Sequence, residues 1–127
     1  MKKSSASILI VEDESALNEA YQLILKQAGY NIATAFNGNE ALEIIKKFDP
    51  DIILLDLRMP HMDGVEFLRH YKLKEKHPNV KVIIFSNYDM QKEIDEAYKL
   101  GAHRYILKTW ASPKELLQII QSTLDDK

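Results

Sequence analysis

Apolar residues recur along the chain in two rhythms. One is short and nearly continuous: residues 7–12 (SILIVE), 30–36 (YNIATAF), 51–55 (DIILL), 80–85 (VKVIIF) and 102–107 (AHRYIL). The third and fourth of these are rich in β-branched residues, the pattern of strands buried on both faces of a parallel sheet. Between them run longer stretches whose apolar positions step by three and four, as on one helical stripe. The first stripe takes Ala16, Leu17, Ala20, Tyr21, Ile24 and Ala28. The second takes Ala41, Leu42, Ile44 and Ile45 and stops before Asp49-Pro50, where proline disfavours helix in the residue before it. The third helix opens at Asp63-Gly64-Val65-Glu66, an aspartate cap with a glutamate three residues on. The fourth places Met90, Ile94, Ala97 and Tyr98 on one stripe, with Gly101 positioned to end it. The last opens with Ser112-Pro113-Lys114-Glu115, which combines a serine cap, proline at the first helical position and a capping-box glutamate. Its stripe is Leu116, Leu117, Ile120 and Leu124, with Ile119 off it as a candidate dimer or partner contact.

Strand and helix thus alternate five times. Successive βαβ units with right-handed crossovers predict an α/β fold, (βα)5, with a doubly wound open parallel sheet and helices on both faces. A length of 127 residues predicts a single domain, 1–127. The charge balance, 17 basic against 19 acidic residues, argues against a domain built to coat nucleic acid or an anionic membrane. No cysteine is present, which removes disulfides, thiolate metal sites and a cysteine nucleophile. The longest runs of Ile, Leu, Val and Phe are four residues, far from the ~20 apolar residues of a spanning helix. Met1-Lys2-Lys3 leads into Ser4-Ser5-Ala6-Ser7 rather than a signal-peptide core. A cytoplasmic protein is expected.

In open α/β sheets the ligand crevice lies beyond the carboxyl ends of the strands. Glu12 and Asp13 follow the first strand, Asp56 the third, Ser86 closes the fourth and Lys108 follows the fifth. Singly each is ordinary: a strand-end aspartate is a common turn residue, and a lone lysine a surface charge. Their agreement at four strand ends is what points to a site. Clustered carboxylates are costly to keep ionised without a cation, and an all-oxygen donor set suits Mg²⁺ rather than Zn²⁺ or copper. An aspartate can attack phosphorus, and a lysine and a hydroxyl are natural partners of phosphoryl oxygens.

These segments together resemble a bacterial two-component response regulator receiver domain of the chemotaxis type. The resemblance rests on Ile8-Leu9-Ile10-Val11-Glu12-Asp13-Glu14, on Asp51-Ile52-Ile53-Leu54-Leu55-Asp56-Leu57-Arg58-Met59-Pro60 and on His61-Met62-Asp63-Gly64. It is completed by Val82-Ile83-Ile84-Phe85-Ser86 and Gly101-Ala102-His103-Arg104-Tyr105-Ile106-Leu107-Lys108. It implies a flavodoxin-like sheet of order 2-1-3-4-5. Asp56 would be the phosphoacceptor, taking its group from a sensor histidine kinase or a histidine phosphotransfer protein. Glu12, Asp13, Asp56 and the backbone carbonyl of Arg58 would hold Mg²⁺, for which Mn²⁺ substitutes. Lys108 and Ser86 would bind the phosphoryl group, and Tyr105 would be an aromatic switch. An unidentified downstream partner, or a second copy in a phosphorylation-dependent homodimer, would read the face formed by the fourth helix, fifth strand and fifth helix. No direct nucleic-acid or membrane binding and no turnover of external substrates are implied.

Two departures stand out. The family usually has proline after the strand-five lysine, in a cis peptide; here it is Thr109, and a cis bond before a non-proline costs about 2.5–4 kcal/mol. The residue after Ser86 is usually small, whereas here Asn87 and Tyr88 follow, and with Arg58 they are expected to tune access to the acyl phosphate. Arg58 either guides anions or pairs with a carboxylate. Two other readings compete. A small aspartyl-phosphate phosphohydrolase usually has a second acid two residues after the nucleophile, where Arg58 stands; a degenerate, phosphorylation-independent receiver would rest on Thr109 alone. His61, His70, His77 and His103 lack ligand spacing. Lys72, Lys74, Lys76 and His77 read as a solvated helix end, and Trp110 as either a partner anchor or a loop-to-helix packing residue.

Overall fold

The strand segments pair because their alternating side chains are apolar on both sides and need a helix layer above and below. A computed structural model describes residues 6–87 and 90–126. Its strands are β1 (Ser7–Val11), β2 (Asn31–Ala35), β3 (Ile52–Leu55), β4 (Lys81–Ser86) and β5 (Arg104–Leu107). All neighbours are parallel, in the order β2-β1-β3-β4-β5. The helices are α1 (Ser15–Gln27), α2 (Gly38–Ile44), α3 (Gly64–Tyr71), α4 (Leu73–Lys76), α5 (Gln91–Lys99) and α6 (Pro113–Asp125). Successive strand residues face opposite layers. Leu9, Val11, Ile53, Leu55, Val82 and Ile84 pack with residues of α2, α3, α4 and α5. Ile8, Ile10, Ile52, Leu54, Ile83 and Phe85 pack with α1 and α6.

The capping signals act as the sequence predicts. The Asp63 side chain accepts from the Glu66 N–H at 2.9 Å. Ser112 and Glu115 form a reciprocal capping box, with Pro113 following. Gly64 has room only because it lacks a Cβ: one placed there would lie 2.5 Å from the Asp56 carbonyl oxygen. That close approach sets the loop after β3 against the strand end.

Other expectations need correction. The described residues form six helices rather than five, because Lys72 adopts a left-handed φ of 57° and separates α3 from the one-turn α4. On α1 the buried residues are Asn18, Tyr21 and Leu25, while Ala16, Ala20 and Ala28 are exposed. The stripe is rotated by about one residue, since the bulky positions rather than the alanines seek the core. On α5 only Ile94 and Ala97 are buried. Met90 stands before the helix at its N-cap and Tyr98 at its solvent margin, 51% and 44% exposed. Ile119 is half-buried and packs on the α1–α6 side of the core rather than standing clear of it. His77 leaves the solvated stretch to stack on the Tyr71 ring, with centroids 4.1 Å apart. Trp110 is 76% exposed, which removes loop-to-helix packing as its role. No described helix is long and apolar enough to cross a membrane.

Candidate functional site

Four strand ends deliver the site. Glu12 follows β1, and its N–H still donates to the β2 residue Ala35 at 3.0 Å. Asp56 follows β3, its N–H donating to the Val11 carbonyl at 3.0 Å. Ser86 is the last residue of β4 and is fully buried. Lys108 follows β5, where its N–H donates to the Ser86 carbonyl at 2.9 Å. Backbone pairing alone therefore fixes where these side chains start.

The carboxylates converge. Glu12, Asp13 and Asp56 each offer an oxygen within 4.8 Å of the others. Glu12 and Asp56 are buried, 2% and 5% exposed, and Asp13 is half-buried. The Lys108 ammonium donates to Asp56 Oδ2 at 3.2 Å and forms a still closer ion pair with Glu12 Oε1. Asp56 Oδ1 accepts from the Arg58 N–H at 3.3 Å, and Glu12 Oε2 from the Glu14 N–H at 3.1 Å. Glu12, Asp13, Glu14, Asp56, Arg58, Asn87 and Lys108 line an open recess of about 120 Å³.

Burial is the dominant force on these groups. It pushes the Glu12 carboxyl above its ordinary range; the Lys108 and Glu14 contacts oppose this and the Asp56 charge adds to it. Burial likewise raises Asp56, against Lys108 and the Arg58 N–H, while Asp13 adds repulsion. For Lys108, burial favours the neutral amine, yet the Glu12 hydrogen bond and the charges of Asp56 and Glu12 win and raise its pKa. Three carboxylates against one ammonium leave the cluster short of positive charge. An all-oxygen donor set in that state fits Mg²⁺.

The remaining candidates fall into place unevenly. Tyr105 is half-buried on β5, packed on the α2–α5 side of the core. At the rim the Arg58 side chain pairs with Glu93 on α5, its Nε 3.4 Å from Glu93 Oε1, which is the carboxylate pairing of its two expected roles. Asn87 is exposed at the rim; Tyr88 lies outside the described residues. There is no cis peptide among the described residues, so the Lys108–Thr109 bond is trans, and Lys108 still reaches both carboxylates. Sequence reasoning missed Asn18, whose amide contacts the Glu12 carbonyl. The signal was its place three and seven residues before Tyr21 and Leu25 on the helical stripe.

Known proteins bear this geometry out at the level of family. Residues 8–121 match the response regulator receiver domain family. The chain is 37% identical over 101 residues to sporulation initiation phosphotransferase F of Bacillus subtilis, covering 80% of each protein. It is 31% identical over 120 residues to the probable transcriptional regulator ycf29 of Porphyra purpurea; this covers 94% of the chain but 57% of that regulator's length. A CheY-like receiver domain protein from Methanospirillum hungatei superposes with a TM-score of 0.88 at 30% identity, covering 95% of this chain and 94% of that one. The chemotaxis protein CheY4 of Vibrio cholerae does so at 0.85 and 27%, covering 93% and 98%. An α/β sheet of this order, carrying an acidic cluster and a lysine at its strand ends and matched along nearly its whole length, belongs to the response regulator receiver domain family, in its CheY-like form.

Proposed function

We propose that this domain, acting as a single unit over residues 1–127, relays a signal by accepting a phosphoryl group on Asp56. The donor would be the phosphohistidine of a sensor histidine kinase or histidine phosphotransfer protein; a relative named as a phosphotransferase supports phosphoryl transfer as this domain's chemistry. The observation that carries the reading is the convergence of Glu12, Asp13 and Asp56 with Lys108 already on the Asp56 carboxylate.

In this reading an Asp56 oxygen attacks phosphorus while the P–N bond to the donor imidazole breaks, its electron pair returning to the ring nitrogen. Mg²⁺, or Mn²⁺ in its place, held by Glu12, Asp13, Asp56 and the Arg58 carbonyl, would supply charge neutralisation at the phosphoryl oxygens. Lys108 leaves its carboxylate partners for a phosphoryl oxygen, and the Ser86 hydroxyl donates to another. These contacts exist only in the phosphorylated state, so they shift an inactive–active equilibrium. Tyr105 follows Ser86 and alters the face of α5, β5 and α6, where a downstream partner or a second copy would dock. Ile119→Glu would then reduce phosphorylation-dependent association in light scattering; unchanged assembly would remove that face. Asn87, with Tyr88 and Arg58, screens the acyl phosphate, so Asn87→Ala would change the dephosphorylation rate.

Beryllofluoride with Mg²⁺ mimics the phosphoryl group without chemistry. Amide NMR should then show shifts clustered at Asp56, Ser86, Tyr105 and Lys108. Shifts absent there, or unchanged by Asp56→Asn, would contradict the proposal.

A further inference from the structure

Among the described residues, five polar or charged side chains are buried: Glu12, Asn18, Asp56, Ser86 and Thr123. Three belong to the site, and Thr123 bonds back to its own helix through the Ile119 carbonyl at 2.7 Å. Asn18 remains. It sits in the core-facing stripe of α1, wholly buried, where a leucine would pack without desolvating an amide.

What the amide adds is a grip on the site's backbone. Asn18 Nδ2 donates to the Glu12 carbonyl at 2.9 Å and to the Ala35 carbonyl at 3.3 Å. Its Oδ1 accepts from Gln22 Nε2 at 2.8 Å and from the Thr34 hydroxyl. Both donors and both acceptor positions are thus used. The Glu12 carbonyl lies past the last β1–β3 pair, Val11 with Leu55. It belongs to the planar peptide that joins Glu12 to Asp13, so holding that oxygen sets the orientation from which both carboxylates project.

We infer that Asn18 is a positioning residue for the acidic pair, clamping the Glu12–Asp13 peptide so that both carboxylates face one divalent cation. The inference rests on the metal-dependent reading above. Groups that orient metal ligands from behind typically account for about 10–100-fold in metal affinity.

Calorimetric titration of the purified protein with MgCl2 tests it. The set is the parent, Asn18→Ala, Asn18→Leu and Leu25→Ala. Leu25 is a fully buried residue of the same helix, so its truncation loosens packing without touching the Glu12 carbonyl. The leucine variant keeps the position filled should the alanine variant not fold. The Mg²⁺ Kd should rise at least about tenfold in the Asn18 variants and stay at the parent value in Leu25→Ala, although urea denaturation shows that variant to be less stable. An unchanged Kd in Asn18→Leu, or an equal rise in Leu25→Ala, overturns the positioning role alone. A parent that binds no Mg²⁺ overturns the metal reading and the inference together.

Discussion

Removing a charge from the acidic cluster should stabilise the metal-free fold, and Asp13→Asn is the cleanest way to do it. Asp13 is half-buried, and its charge acts on the buried Asp56, with carboxylate oxygens of the cluster within 4.8 Å of one another. At that separation Coulomb's law gives a repulsion of ~3.5 kcal/mol for an effective dielectric of 20 and ~0.9 kcal/mol in bulk water. Solvent reaches Asp13, so the gain should lie near the lower bound, ~1 kcal/mol. For a domain of this size that is a rise of about 4 °C in Tm. Adding Mg²⁺ should reverse the ranking. The parent, with its full donor set, gains ~2.7 kcal/mol at a Mg²⁺ concentration 100 times its Kd; the variant, with a weakened site, gains much less. Urea denaturation followed by far-UV circular dichroism, with EDTA and across a Mg²⁺ series, measures both. An Asp13→Asn protein less stable than the parent in EDTA, or one with the same Mg²⁺ gain, would refute the idea that the three carboxylates strain the fold until a cation joins them.

Three further outcomes follow from particular contacts. Lys108→Met leaves Glu12 and Asp56 buried without their ammonium partner, and should cost about 3 kcal/mol in EDTA; a loss below ~1 kcal/mol in urea denaturation would mean that the pair is not held as described. Gly64→Ala puts a methyl 2.5 Å from the Asp56 carbonyl oxygen and 2.8 Å from Leu57 Cα. It should destabilise by about 1–3 kcal/mol and slow phosphorylation, whereas parent-like Tm and labelling would refute the close approach. His103 Nδ1 accepts from the Val82 N–H at 3.1 Å, which a protonated ring cannot do. Burial, and then the Lys81 charge, lower its pKa, with Asp126 opposing. The folded protein therefore binds fewer protons than the unfolded chain near the ordinary value of about 6.5, and stability present above it is lost as pH falls through the folded value. His103→Ala should flatten the stability profile between about pH 7 and 5; a slope equal to the parent's would exclude the bond.

The parts of this molecule that read directly from sequence are those set by backbone pairing. Residues 52–55 and 82–85 are apolar at every position because both sheet faces are covered, and the strand ends they define place Asp56 and Ser86 without knowledge of side-chain contacts. Ser112 and Glu115 mark a helix start because capping is local in the chain. Contacts between distant elements were not legible. Arg58 finds Glu93 across 35 residues, and Lys108 closes on Glu12 besides its expected partner Asp56, through packing that periodicity does not encode. Asn18 was hidden for another reason. Hydropathy assigns an amide to the surface, and its burial is favourable because the carbonyls of Glu12 and Ala35, with Gln22 and Thr34, satisfy all its hydrogen-bonding positions.

The central claim is that Asp56 accepts a phosphoryl group with the help of a metal held by its acidic neighbours. Intact-mass spectrometry tests it most directly, after incubation with acetyl phosphate and rapid acid quenching, with and without Mg²⁺. The account predicts a single phosphoryl adduct that requires Mg²⁺ and is absent from Asp56→Asn. A parent protein that gains no adduct, or an adduct that persists in Asp56→Asn, would contradict it.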